Sequence, residues 1–155
     1  MSIFWLNVLT VIIGVGCGFM GGVFFAFSTF VMKALERLPT PQGVAAMQSI
    51  NVVVIHPLFL IPFFGTGLAA VVVAIGTRGQ PAGMALLAAG ALYVVGTVGV
   101  TIVGNVPLNK QLALVDPLAP AAEAAWRSYI NHWLPWNHVR TAAALAACAI
   151  VVTAR

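Results

Sequence analysis

Long apolar segments are the feature that most constrains the fold of this chain. Four of them, each of which we predict to be helical, run over residues 3–31, 57–76, 83–104 and 134–152. A helix of ~20 residues crosses the ~30 Å hydrocarbon layer of a bilayer, because it rises ~1.5 Å per residue. The mean hydropathy of +1.04 agrees with this interpretation. We therefore predict an all-α membrane protein, a bundle of four transmembrane helices formed by a single domain over residues 1–155.

The connections between these spans place most polar residues on one side of the predicted bundle. The second and third spans are joined by the short sequence "TRGQPAG", whereas the other two connections are longer and amphipathic. We expect short amphipathic helices in these longer connections. An up-down order brings the end of span one, the start of span two, the end of span three and the start of span four to that same side. Polar groups at membrane depth are costly, so we expect a functional pocket there.

Span one contains the glycine-rich sequence "GVGCGFMGG". It matches the G-x-G-x-x-G pattern of dinucleotide-binding loops, but that loop requires a preceding strand and a βαβ unit, which this apolar segment does not provide. Gly14, Gly18 and Gly22 recur every four residues and so fall on one face of the helix. This spacing predicts close packing of a second helix against them.

The stretch "WLPWNHVRT" at the start of span four combines residue types suited to catalysis. If the helix begins near Leu134, its unpaired N–H groups and dipole make the first turn suit an anion and favour a neutral imidazole. A neutral imidazole can act as a general base. We therefore predict that His138 is the base, while Arg140 and Asn137 stabilise negative charge. Asn105, His138 and Arg140 are expected to share one cavity or hydrogen-bond network.

Aromatic residues near the same side predict a slot for a flat ligand. Trp133 and Trp136 are expected to stack on such a ligand, with Phe24 and Phe27 of span one lining the slot. The alternative for the tryptophans is an aromatic belt at the membrane interface.

A haem or metal ion held by His56 and His138 is an alternative use of the histidines. The sequence has no H-x-x-x-H pair, and its three acidic residues all lie in connecting segments. The spacing therefore does not favour a metal site.

The charges are scattered, so the net charge of +4 does not indicate binding to nucleic acid. Cations on the pocket side outnumber those opposite, and the positive-inside rule therefore places the pocket towards the cytoplasm. The pocket-side cations are Lys33, Arg37, Lys110 and Arg127, and those opposite are Arg78 and Arg155.

Four segments resemble the bacterial branch of the anthrone oxygenase-like family of integral membrane proteins. They are "GVFFAFSTFVMKAL", "AMQSINVVVIHPLF", "LYVVGTVGVTIVGNVPLNKQLA" and "WRSYINHWLPWNHVRTAAALAA", which occur in order over nearly the whole chain. The resemblance implies a small four-helix membrane protein that oxidises an anthrone to an anthraquinone with O₂ and without a dedicated cofactor. The positions that it implies are functional are Asn51, His56, Asn105, Asn109, Trp136, Asn137, His138 and Arg140.

Residues and resemblance together predict a multi-pass protein of the bacterial inner membrane that oxidises an anthrone-like or phenolic aromatic to a quinone. O₂ is the expected co-substrate. Two alternatives stay open, a haem- or metal-binding redox protein and a non-catalytic module that binds a quinone or a lipid. The sequence also leaves open whether the protein forms a homo-oligomer.

Overall fold

A computed structural model describes residues 3–154, which fold into five helices and contain no strand. The helices are α1 (Ile3–Glu36), α2 (Thr40–Val53), α3 (Pro57–Gly76), α4 (Gly83–Leu112) and α5 (Ala122–Thr153). The all-α prediction is confirmed. Met1, Ser2 and Arg155 lie outside the described residues, and Arg155 is one of the two cations that we counted on the side opposite the pocket.

Three of the four predicted spans are confirmed as helices long and apolar enough to cross a membrane, namely α1, α3 and α4. The fourth predicted span lies in α5, which has 32 residues but is not among these apolar helices. One predicted amphipathic helix is present as α2. The other is not a separate helix, because residues from Ala122 onward continue directly into α5. The structure therefore has five helices where we predicted a four-helix bundle with short additions.

Local sequence explains where α3 begins and ends. His56 is its N-cap, and its ring Nδ1 accepts a hydrogen bond from the backbone N–H of Leu58 at 3.2 Å. Pro57 follows at the first helical position, where its missing N–H is not needed. After α3, the turn contains Gly79 at φ +82°, a conformation that side chains disfavour. Helix α3 therefore has the bounds predicted from the sequence.

Two prolines do not end or begin helices as the sequence predicts. Pro135 lies well inside α5, so the predicted helix start near Leu134 is wrong. Pro107 lies in the first turn of the last α-helical part of α4, Val106–Leu112, directly after a π-helical stretch. The chain therefore continues as a helix past Asn105, where we predicted that it would break.

Helices α1 and α4 each change from α-helical to π-helical geometry part of the way along. The π-helical stretches are Phe27–Val31 in α1 and Leu92–Gly99 and Thr101–Asn105 in α4. Such stretches are rare and occur frequently at functional sites. Two of them contain residues that contact the candidate site described below, Ser28 in α1 and Thr101 in α4.

The interior consists of two apolar clusters, one above the other along the bundle. The first lies between α1, α3, α4 and α5 and includes Phe24, Phe63, Tyr93, Ala144 and Ala147. The second lies between the end of α1, α2, the end of α4 and the first half of α5, and it includes Met32, Met47, Leu112, Trp126 and Trp133. Of the four span ends that we predicted to converge, those of spans one, three and four therefore meet at the second cluster, whereas the start of α3 contributes no residue to it.

Glycines of α1 allow α5 to approach closely. A Cβ atom added at Gly14 would lie 3.3 Å from Val151, and one added at Gly18 would lie 3.3 Å from the Sγ atom of Cys148. The predicted packing face is confirmed at these two positions. It is wrong at Gly22, which faces open space, because the contact continues at Gly21 instead. The spacing of four and then three residues follows the turn of a packed helix.

Candidate functional site

A cavity of about 410 Å³ lies where the two apolar clusters meet. All five helices contribute to its wall, and most of the lining is apolar. The volume lies in the range of pockets that hold small molecules, and such pockets combine an apolar wall with a few polar groups. The polar and charged residues that line it are Gln48, Asn51, Thr101, Asn109, Lys110 and Arg140.

Arg140 is the buried charge of this cavity, with only 6% of its surface exposed. Its Nε and Nη2 atoms donate to Oδ1 of Asn137 at 2.9 and 2.7 Å, and its Nη1 atom donates to Oγ1 of Thr101 at 3.2 Å. The guanidinium carbon lies 4.0 Å from the ring centroid of Phe24 and 5.0 Å from that of Trp133. These contacts fix the plane of the guanidinium at the cavity wall.

No carboxylate within residues 3–154 neutralises Arg140. The acidic side chains of the chain, Glu36, Asp116 and Glu123, are all exposed. The single ion pair within residues 3–154 joins Glu123 to Arg127 on the surface. A buried charge without a counter-charge costs several kcal/mol, so this site favours a ligand that carries or develops negative charge.

Asn137 holds Arg140 in place and is itself fixed by α1. The Asn137 side chain is completely buried, and its Nδ2 atom donates to the backbone oxygen of Phe24 at 2.9 Å and to Oγ of Ser28 at 2.7 Å. These two bonds fix the orientation of the amide, because only the oxygen can accept from the guanidinium. The three-residue spacing within α5 puts both side chains on one face, as predicted.

His138 lies outside the cavity lining, on the exposed side of α5. Its Nδ1 atom is 3.0 Å from Oγ of Ser28. Because Ser28 also contacts Asn137, His138 belongs to the same hydrogen-bond network as Arg140, as expected. The reason given for its basicity is wrong, since α5 begins at Ala122 and His138 is about four turns from the helix N-terminus.

The two predicted tryptophans have different positions. Trp133 is 2% exposed and lines the cavity together with Phe24 and Phe27, as predicted. Trp136 is 42% exposed and does not line it. Its ring lies against Gly104, where an added Cβ atom would be 2.6 Å away. Trp136 therefore packs on α4, and the prediction that it forms part of the slot is wrong.

Asn109 and Asn105 both attach α4 to α5. Oδ1 of Asn109 accepts from the Tyr129 hydroxyl at 2.9 Å and from Nε1 of Trp133 at 2.8 Å. Asn105 is buried, and its Nδ2 atom donates to the backbone oxygen of Trp133 at 3.1 Å. Asn109 lines the cavity, whereas Asn105 does not line it and bonds to the backbone of Trp133, a residue that does. Within residues 3–154, Asn105 has no hydrogen bond to Arg140 or His138.

Asn51 and His56 also differ in position. Asn51 lines the cavity, and its buried Nδ2 atom has no hydrogen-bond partner among residues 3–154. His56 is exposed, caps α3 and does not line the cavity. The amide nitrogen of Asn51 is therefore buried and, among these residues, unpaired at the cavity wall, whereas the position of His56 is explained by its role as the N-cap of α3.

Three hydroxyl groups that were not predicted from the sequence complete the site. Ser28 and Thr101 contact Asn137 and Arg140, and Thr141 lies 3.2 Å from the Ser28 hydroxyl. Ser28 and Thr101 are polar residues inside otherwise apolar helices, and that is the signal that could have identified them. Within the described part of the chain, no three His, Cys, Asp or Glu residues lie close enough to hold a metal ion. A haem or metal on His56 and His138 stays an untested hypothesis.

Comparison with known proteins identifies the family of this chain. The sequence profile of the anthrone oxygenase family matches residues 53–150, more than half of the chain, and this segment includes all of α3 and α4 and most of α5. No curated protein and no solved structure matches the chain. The match covers Arg140, Asn137, Asn109 and Thr101. The chain therefore belongs to the anthrone oxygenase family.

Proposed function

We propose that this protein is a membrane oxygenase that oxidises an anthrone-like or phenolic aromatic to a quinone with O₂. The observation that carries the proposal is Arg140, a buried cation without an acidic partner in the wall of an apolar cavity. Membership of the anthrone oxygenase family supports the reaction class. The orientation of the cavity towards the cytoplasm, and the bacterial inner membrane as the location, belong to the same proposal.

Arg140 binds the substrate oxygen in this proposal. A guanidinium has five N–H donors. Three of them are used in the bonds to Asn137 and Thr101, so two are left for the carbonyl or phenol oxygen of a ligand. Phe24 and Trp133 lie beside the guanidinium and provide apolar surface for a flat ring system. Donors held in place before the reaction stabilise an oxyanion more than water does, because they need no reorganisation.

The reaction begins with loss of a proton from the CH₂ group opposite the carbonyl of the anthrone. The cavity lining contains no imidazole and no carboxylate. We therefore assign the proton to water, since stabilisation of the enolate oxygen by Arg140 makes the CH₂ group more acidic. His138 then has a positioning role, through Ser28 and Asn137, in place of the base role predicted from the sequence.

Oxidation uses one O₂ for each quinone. The enolate passes one electron to O₂, and the resulting carbon radical and superoxide combine to form a C–O bond. The peroxide takes up a proton, loses the second hydrogen of the former CH₂ group and breaks its O–O bond. The products are a carbonyl group and one water molecule. Both hydrogens of the CH₂ group leave in this water, so no external reductant and no resident cofactor are required.

We also propose that α5 is the fourth membrane span. It packs along α1 through the glycine positions described above. It turns Asn137 and Arg140 inward, while Val139 and Val152 are exposed apolar residues on its outer side. An inward polar face and an outward apolar face are what a membrane bundle requires of a helix with a buried charge.

The test is quinone formation by the purified protein in lipid nanodiscs. We expect conversion of an anthrone under air to consume one O₂ per quinone and to stop under nitrogen. A protein-free sample corrects for spontaneous oxidation, and an Arg140→Ala variant is the matched protein control. Conversion no faster than in the protein-free sample would refute the proposal.

A non-catalytic quinone- or phenol-binding protein is the second candidate. The absence of a base among the lining residues favours it. In the same experiment, saturable binding of an anthraquinone without accelerated oxidation of the anthrone would identify this function instead.

A further inference from the structure

We infer that the ligand of this cavity is an amphiphile, an oxygenated ring with a long alkyl or isoprenoid tail, and that it enters sideways from the bilayer between α3 and α4. Only the identity of the ring rests on the proposed function. The positions of the helices and of the residues at the opening support the route and the tail.

The gap arises because α3 packs on only one part of α4. The two helices pack together along Gly83–Gly99, whereas the part of α4 from Thr101 to Leu112 has no comparable packing with α3. The N-terminal part of α3, which is the part that does not pack on α4, provides Phe59, Leu60, Phe63 and Phe64 to the cavity wall. The cavity therefore occupies the space between the diverging helices.

The opening is apolar and lies at hydrocarbon depth. Phe64 of α3 and Ile102 of α4 both line the cavity, and they are 50% and 52% exposed. They lie about 10 and 15 Å along their helices from the nearer ends, at ~1.5 Å per residue. Because both helices are long and apolar enough to cross a membrane, their exposed side chains at this depth contact lipid tails.

Polarity changes along the cavity in a way that suits an amphiphile. The inner wall of the cavity contains Arg140, Thr101 and Asn109. The end of the cavity nearest the C-terminus of α4 contains the exposed Lys110. The side towards lipid is apolar. A ring oxygen at Arg140 therefore allows a tail to leave between the helices into the bilayer, whereas a ring without a tail can also enter past Lys110 at the membrane surface.

The experiment compares two ligands in nanodiscs, a benzoquinone with a ten-carbon alkyl chain and the same benzoquinone without it. Saturation binding of the radiolabelled ligands is measured, with concentration expressed per lipid to correct for partitioning. Two neighbouring exposed residues of α4 provide a matched pair of variants. Ile102→Trp fills the opening, whereas Val103→Trp changes a 70% exposed residue that does not line the cavity.

We expect Ile102→Trp to weaken binding of the tailed quinone at least tenfold and to change binding of the tailless quinone less than twofold. Val103→Trp should change neither. A second variant on the other side of the gap, Phe64→Trp, should repeat the effect of Ile102→Trp. Equal effects on both ligands, no effect on either, or no binding of the tailed ligand by the unmodified protein would each overturn the inference. If Ile102→Trp selectively loses binding of the tailed quinone, and the unmodified protein does not oxidise an anthrone, the proposed oxygenase activity is refuted and this inference is still supported.

Discussion

Replacing Arg140 by Lys tests whether the geometry of the buried cation matters or only its charge. A lysine retains the positive charge but cannot present a planar fork. It cannot reproduce the paired bonds of Nε and Nη2 to Asn137 together with the bond of Nη1 to Thr101. The positions of the two remaining N–H groups, which we propose bind a substrate oxygen, depend on those three bonds, so we expect these donors to be lost from their fixed positions.

The expected loss can be estimated from this geometry. Removing a donor to a developing oxyanion costs ~10²–10³-fold in rate. Because the lysine keeps its Coulomb attraction to the anion, we expect the lower end for Arg140→Lys, about 10²-fold in kcat/KM, which equals ~2.7 kcal/mol. Arg140→Met removes the charge as well, and we expect it to lower kcat/KM by ~10³-fold.

The assay is initial-rate quinone formation under air in nanodiscs, corrected for spontaneous oxidation. Arg127→Lys is the matched control in the same helix, since Arg127 is exposed and pairs only with Glu123 on the surface. It should leave both the rate and the melting temperature unchanged, because exposed ion pairs contribute little. Activity of Arg140→Lys within threefold of the unmodified protein would refute the assigned role of the guanidinium.

Four further changes test other parts of the structure. His138→Ala should lower kcat/KM less than tenfold, whereas a general base would give ~10²–10⁴-fold; His132→Ala, on the exposed surface, should have no effect. Gly21→Ala should reduce the free energy of unfolding by ~1–3 kcal/mol, because its Cβ would lie 2.6 Å from a leucine of α5, whereas Gly22→Ala meets open space and should not destabilise. Asn51→Leu should weaken quinone binding about tenfold without loss of stability, because its amide nitrogen has no partner within residues 3–154. A chelator should leave turnover unchanged; complete loss of activity would instead support a metal site.

Hydropathy predicted the membrane helices well, since it reports on a property averaged over many residues. The bounds of α3 were predicted correctly because a cap and a proline mark its start and a glycine-containing turn follows its end. The bounds of α4 and α5 were not, because Pro107 and Pro135 are accommodated within helices. Tertiary packing can re-satisfy the backbone groups that a proline leaves unpaired, and no local sequence signal reports this.

The sequence predicted most of the residues of α5 near the candidate site, but not which of them face the interior. The inward face of α5 follows a spacing of four and three residues, along which every member is buried. These residues are Trp126, Ile130, Trp133, Asn137, Arg140, Ala144, Ala147 and Val151. His138 and Trp136 lie off this line, so their exposure follows from the helical period. The pattern is present in the sequence, but it is recognised only when α5 is treated as one continuous helix from Ala122.

The hydroxyl partners of Asn137 and Arg140 could not be predicted in the same way, because they come from helices other than α5. Ser28 belongs to α1 and is separated by 109 residues from its partner Asn137. Thr101 belongs to α4 and is separated by 39 residues from its partner Arg140. Which polar residues of separate helices meet depends on the rotation of each helix about its axis. The π-helical stretches change that rotation, and the sequence carries no simple signal for them.

The π-helical stretch Thr101–Asn105 makes this part of the chain sensitive to changes in length. A π-turn accommodates one more residue than an α-turn over the same rise, so deletion of one residue within residues 101–104 would let α4 return to α-helical geometry with the later residues still in their present orientation. A deletion within residues 106–108, in the α-helical part, has no extra residue to absorb it and would turn every later residue by about 100° around the helix axis. Asn109 would then lose its bonds from Tyr129 and Trp133, although no side chain had been substituted. Relatives that retain this site should therefore tolerate loss of one residue within the π-helical stretch but no insertion or deletion between Val106 and Asn109.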